Sequence, residues 1–116
     1  MKTAVVLLGL VLAVMAWPQA PAPTGKELFE KRCGGCHSLD TDKEGPRLRS
    51  VYGRAAAASS FPYSDALKKS QLTWDDQTLN RWLADSEKLV PGADMTIRVD
   101  KPAEREAIIA YLKEAR

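Results

Sequence analysis

Cys33-Gly34-Gly35-Cys36-His37 is the stretch on which the reading of this chain turns. Two thiols three positions apart, followed at once by an imidazole, let a single turn of chain add both sulfurs to the vinyl groups of a heme and set a nitrogen on its iron. Cys33 and Cys36 are the only cysteines and His37 the only histidine. A zinc site, which usually takes four ligands, therefore fails on count. A thiol-disulfide oxidoreductase would need these thiols in a βαβ setting, and the sequence offers no strand pattern.

At 116 residues the chain is sized for one domain with a limited core of its own. A covalently held apolar macrocycle would supply interior that the chain lacks. The formal charge is +2, from 17 Lys+Arg against 15 Asp+Glu. Removing the first twenty residues takes away only Lys2, so the remainder stays nearly balanced. That balance argues against nucleic acid or an anionic membrane surface as the partner.

Residues 1–20 read as a secretory signal peptide: Lys2, an unbroken apolar run from Ala4 to Trp17, then Pro18-Gln19-Ala20. The run is short for a bilayer span, which needs about 20 apolar residues. An uncleaved anchor is the alternative, with the proline-rich stretch as tether. Residues 21–24 form a Pro/Ala linker and 25–116 the domain. Either way the domain faces an oxidising, extracytoplasmic compartment, which points to the periplasm.

The domain is all-α. A first helix opens with Thr24 and Glu27 spaced as a capping box, and Leu28, Phe29 and Cys33 give it one apolar face. Residues 38–61 read mostly as loop. A second helix starts with Thr73 as N-cap and Asp75 and Asp76 in its first turn, its face formed by Leu79, Trp82 and Leu83. Ser86 begins a short helical piece, Glu87 to Val90, ended by Pro91-Gly92. The last helix follows Asp100, with Pro102 near its start and Ile108, Ile109, Tyr111 and Leu112 on its apolar face.

Iron held by His37 alone would keep a position open for ligand binding or oxygen chemistry. Met1 and Met15 lie in the leader, so Met95 is the one methionine left to the domain. Lone methionines are usually flexible core filler. With an attachment motif and no second histidine, Met95 becomes the candidate second axial ligand, and His/Met is the pairing of electron-carrying cytochromes. A heme enzyme or gas-binding protein with a labile Met95 bond is the rival reading.

An ordered set of motifs from Gly25 to about Ala115 resembles class I cytochrome c, in its mitochondrial and bacterial cytochrome c2 branch. It runs through Gly25-Lys26-Glu27-Leu28-Phe29, the attachment pentad, Gly45-Pro46, Gly53-Arg54 and Phe61-Pro62-Tyr63-Ser64-Asp65-Ala66. It continues in Leu72-Thr73-Trp74, Pro91-Gly92-Ala93-Asp94-Met95 and Glu104-Arg105-Glu106-Ala107-Ile108-Ile109-Ala110-Tyr111-Leu112. The resemblance implies one heme c attached through Cys33 and Cys36 and a monomeric electron carrier, not an enzyme. It implies first and last helices packed together, Gly25 and Phe29 against Ile108 and Tyr111. It implies a Pro46 carbonyl that accepts from the His37 ring, and Arg54, Tyr63 and Trp74 around a heme propionate.

The same resemblance marks departures. Trp82 stands where the family usually has a tyrosine near the methionine sulfur, so a donor-only indole replaces a hydroxyl. Leu67 replaces an internal asparagine, and the loop from His37 to Gly45 is shorter than in mitochondrial members. Around the exposed heme edge Arg32, Lys43 and Lys88 keep the family's positive sign, whereas Glu27, Glu87 and Asp94 reverse it. The implied partners are membrane redox complexes: a bc1-type donor, and an oxidase, reductase or photosynthetic centre as acceptor.

Overall fold

The computed structural model describes residues 1–116. Its helices are α1 (Gly25–Arg32), α2 (Asp65–Lys69), α3 (Asp76–Ala84), α4 (Ser86–Leu89) and α5 (Pro102–Glu114), and residues 1–24 carry none. The large apolar side chains from Val5 to Trp17 stay exposed and take no part in the core. No helix is long and apolar enough to cross a membrane.

Helix α1 forms where its sequence puts it. Thr24 Oγ1 accepts from the Glu27 N–H at 3.2 Å, satisfying one of the orphan donors of the first turn. Leu28 and Phe29 are buried, and Lys31 and Arg32 sit at the negative end of the helix dipole. At Cys33 the helix gives way without letting go of the chain. Cys33 N–H donates to the Phe29 carbonyl at 2.8 Å, and His37 N–H to the Cys33 carbonyl at 2.8 Å. The pentad is thus one tight turn fastened to the end of α1.

What holds α1 is α5. Their contact stacks Phe29 on Tyr111, with ring centroids 5.2 Å apart, and sets Arg32 Nη2 2.8 Å from Glu104 Oε2. At Gly25 the backbones approach so closely that a Cβ would run into the Ala107 carbonyl oxygen and stand 3.0 Å from Tyr111 Cβ. Helix α3 leans on α5 in turn. Arg105 Nε donates to Asn80 Oδ1 at 2.8 Å, and Lys113 Nζ lies 2.9 Å from Asp76 Oδ2.

Three local features differ from the sequence reading. The N-cap of the helix after residue 73 is Asp75, not Thr73. Asp75 Oδ1 accepts from Thr78 N–H at 2.8 Å, while Thr78 Oγ1 accepts from Asp75 N–H at 2.9 Å, a reciprocal box two residues later than expected. Thr73 instead lies in a lone antiparallel bridge with Ala55, and its carbonyl takes the Thr78 hydroxyl at 2.6 Å. In α4 the cap is Asp85, which accepts from Lys88 N–H at 3.2 Å and leaves Ser86 as the first helical residue. The short α2 was not anticipated; Ser64 caps it by accepting from Leu67 N–H at 3.1 Å.

The α1–α5 crossing should be intolerant of the smallest side chain. Gly25→Ala is expected to cost about 1–3 kcal/mol, the usual range for forcing a methyl into filled space, read as a lower denaturant midpoint by far-UV circular dichroism. An unchanged midpoint would show that the two helices do not depend on this approach.

Candidate functional site

One apolar cavity of about 460 Å³ opens between the pentad, the loop after it, α3, the Ala93–Met95 segment and α5. Every residue expected from the sequence to attach, hold or surround a heme lines it: Cys33, Cys36, His37, Pro46, Arg54, Tyr63, Trp74, Trp82 and Met95. Local hydrogen bonding brings the first of these together. The turn on α1 carries both sulfurs and the imidazole to one wall, Cys33 buried and Cys36 exposed.

His37 is 8% exposed, and its Nδ1 lies 2.7 Å from the Pro46 carbonyl oxygen. A carbonyl can only accept, so Nδ1 carries the proton and Nε2 keeps a free lone pair. The loop closes on itself around that bond, with Gly45 N–H donating to the Cys36 carbonyl at 2.8 Å. Gly45 presses so near the ring that a Cβ there would stand 2.7 Å from His37 Nδ1 and 2.8 Å from Nε2. Burial pushes the His37 pKa below its usual value, the Pro46 bond partly opposing this and the Lys43 charge adding to it. The ring is therefore held neutral, as a metal ligand must be.

Both thiols are shifted the other way. Burial is the main cause that pushes Cys33 up to about 11. Cys36 is raised chiefly by its hydrogen bond to Glu44, Sγ to Oε2 3.4 Å. A dithiol redox pair works through a thiolate of lowered pKa; this pair is poised against that chemistry.

Arg54 and Tyr63 also line the cavity. Arg54 Nη2 donates to the Arg47 carbonyl at 3.2 Å, but its buried Nε has no partner within the protein. A buried, unpaired charged donor is costly, so this atom fits an acceptor carried by a bound group. The Tyr63 hydroxyl is 2.6 Å from Ser59 Oγ. Trp74 and Trp82 are buried against each other at 5.3 Å between centroids. Leu67, half-buried, adds apolar wall where the resemblance places an internal asparagine.

The sequence reading missed some of the lining. Glu44, Leu48, Val51 and Ala56 come from the loop, where no periodic signal marks which side chains turn inward. Ser86 was read only as a helix start, yet it holds the Met95 segment. Its hydroxyl donates to the Met95 carbonyl at 2.9 Å and accepts from Ile97 N–H at 3.0 Å.

The cavity suits a flat, apolar, acid-bearing macrocycle with a metal at its centre. It offers two thiols for attachment, a neutral imidazole with a free Nε2, a thioether, and an unpaired buried guanidinium nitrogen.

Residues 22–116 match the family model for cytochrome c. Cytochrome c2 iso-2 of Magnetospirillum fulvum is 45% identical over 85 residues, which cover 70% of this chain and 88% of that protein. Cytochrome c of Theileria parva is 37% identical over 102 residues, 84% of this chain and 89% of that one. Among solved structures, cytochrome cH from Methylobacterium extorquens superposes with a TM-score of 0.74 at 43% identity, covering 78% of this chain and 94% of the other.

Two glycines near the imidazole should respond in opposite ways. Gly45→Ala forces the His37 ring or the loop to move and should cost about 1–3 kcal/mol. Gly35→Ala, whose Cβ would meet nothing within 4 Å, should stay within about 0.5 kcal/mol of wild type. Equal denaturant midpoints for the two variants would contradict this account of the loop.

Proposed function

The chain belongs to the cytochrome c family and carries one covalent heme c, and on that premise we propose that it is a soluble periplasmic electron carrier with His37 and Met95 as axial ligands. The observation that carries this reading is that His37 and Met95, distant in sequence, line the one apolar cavity that also takes both cysteines. When bound, the heme supplies an iron that exchanges a single electron between Fe(II) and Fe(III).

The chain's own residues do the rest. Cys33 and Cys36 are the only thiols available for attachment. Pro46 holds the proton on His37 Nδ1, which keeps Nε2 bare and makes the ring a stronger donor to metal. Met95 contributes a soft thioether, which favours the reduced state and raises the potential relative to harder ligands. Arg54, Tyr63 and Trp74 serve as the polar lining for a propionate, and Trp82 packs beside them as apolar wall with a donor tip. With His37 and Met95 both holding the iron, no position would be left on it for a substrate, which is the physical reason to read a carrier and not an enzyme.

Export through residues 1–20 would deliver the domain to the periplasm, as a monomer passing electrons from a bc1-type complex to an oxidase, reductase or photosynthetic centre. The surface around the cavity modifies how it would meet them. Arg32, read as part of a positive rim, is paired with Glu104 at 2.8 Å. Lys43 Nζ donates to the Gly34 carbonyl at 2.9 Å, while Glu44 and Asp94 bring carboxylates to the cavity lining. Signs alternate there, so long-range steering is weak.

Two outcomes test this reading. The oxidised holoprotein near neutral pH should show the absorption of a thioether sulfur bonded to Fe(III), and its reduced form should resist carbon monoxide; Met95→Ala should lose the first and bind the gas. A wild-type protein that binds carbon monoxide readily would instead be a ligand-binding or catalytic heme protein. Electron-transfer rates to a partner oxidase should fall only shallowly across an ionic-strength series, and a steep fall would count against the mixed-sign surface.

A further inference from the structure

We infer that Ser86 is the positioning residue that keeps Met95 at the metal, an inference that rests on the axial role proposed for Met95. Ser86 is 1% exposed, the most deeply buried of the polar side chains. Its hydroxyl is used twice on the segment that carries the thioether. It donates to the Met95 carbonyl at 2.9 Å and accepts from the Ile97 N–H at 3.0 Å. The Ser86 N–H adds a longer bond to the Ile97 carbonyl, 3.3 Å, and Val99 N–H donates to the Leu83 carbonyl at 2.7 Å.

These bonds run between the α3–α4 corner and residues 95–99, so they close the intervening chain into a loop whose base is Ser86. Met95 sits at that base, with its carbonyl anchored and its side chain on the cavity wall. Away from the base the loop is held by Val90 N–H to the Ser86 carbonyl at 2.9 Å and by Gly92 N–H to Glu87 Oε1 at 3.2 Å. Pro91, Gly92 and Asp94 are exposed. Only the Ser86 hydroxyl grips the Met95 carbonyl itself.

Removing that hydroxyl leaves a partly buried carbonyl and N–H without their partner, which favours states in which the segment swings out and finds water. An exogenous ligand that needs Met95 to leave binds more tightly in proportion to the fraction of molecules already open. Ser86 therefore sets how often the sulfur lets go, without touching the cofactor.

The test uses the oxidised holoprotein, with imidazole as the competing ligand. Wild type, Ser86→Ala and Thr78→Ala are titrated while the absorption of sulfur-bonded Fe(III) is followed. Thr78→Ala removes the α3 capping box, whose bonds go to Asp75 and Thr73 and not to residues 95–99, and controls for lost stability. Ser86→Ala should bind imidazole roughly tenfold more tightly than wild type, and Thr78→Ala should bind it as wild type does even with a lower melting temperature. An unchanged affinity in Ser86→Ala, or an equal gain in both variants, overturns the inference. A wild type without the sulfur-to-iron absorption overturns the ligand assignment first and this inference with it. Should Ser86→Ala fail to fold, wild type alone decides. Saturating imidazole should speed hydrogen exchange of the Ile97 amide about tenfold or more while leaving that of Ile108 unchanged, by reciprocity of coupled sites. Unaltered Ile97 protection refutes the coupling.

Discussion

The hydrogen bond from His37 Nδ1 to the Pro46 carbonyl, 2.7 Å long, is the interaction on which the rest of the structure depends. It selects the tautomer, so Nε2 is the ring nitrogen without a proton. Beside the Gly45 N–H bond to the Cys36 carbonyl and the Lys43 bond to the Gly34 carbonyl, it also ties the attachment turn to the loop after it. The bond exists because Gly45 brings the chain against the ring where no side chain would fit. Its other end depends on α1, and α1 on α5. Gly25 and Phe29 set that contact from one helix, Ala107 and Tyr111 from the other. The chemistry of one nitrogen thus reaches back to a helix crossing formed by the two ends of the domain.

The cavity imposes the second constraint. Left without an occupant, a cleft of about 460 Å³ lined mostly by apolar side chains would expose that surface to water. The chain therefore specifies a shell, and a covalent heme is as much its core as its active part. Leu79, Trp82, Leu83, Ile108 and Leu112 belong both to the packed core and to the cavity lining. Their helical spacing builds one surface for two purposes, so a substitution there cannot affect stability and the site separately.

How much of this could be read from the sequence follows from how local each signal is. The pentad and α1 were legible because sulfur, imidazole and cap all fall within fourteen residues. Helix α5 was legible from its spacing and from Pro102. The start of α3 was misread because Thr73 and Asp75 are both good caps, and only the bridge between Thr73 and Ala55 decides against the first. That contact is tertiary, so propensity had no access to it. Helix α2 has five residues, none buried, and such a piece leaves no amphipathic trace. Arg54, Tyr63 and Trp74 were gathered around one cavity by family resemblance; taken singly, their sequence positions said only surface charge and aromatic core. Ser86 escaped notice because serine before an apolar stretch suggests a cap, and its real partners lie beyond the next turn.

The two sides of the cavity are built by different means, and this bears on how such a carrier behaves. On the imidazole side the ligand, its attachment points and its hydrogen-bond partner all fall within residues 33–46, a short closed unit fastened to α1. On the thioether side Met95 arrives at the end of an exposed turn and is gripped through its backbone by a single buried hydroxyl. Covalent links and a short ring of contacts hold His37 in place whatever the loop does. In the axial role proposed for Met95, exchange at the metal would begin there, because its support is both more remote in sequence and thinner in number. In that proposed role the sulfur would have to stay through each cycle, because its loss would open a coordination site and turn a one-electron relay into a ligand-binding heme. The proposed function thus depends less on the conspicuous pentad than on what secures Met95.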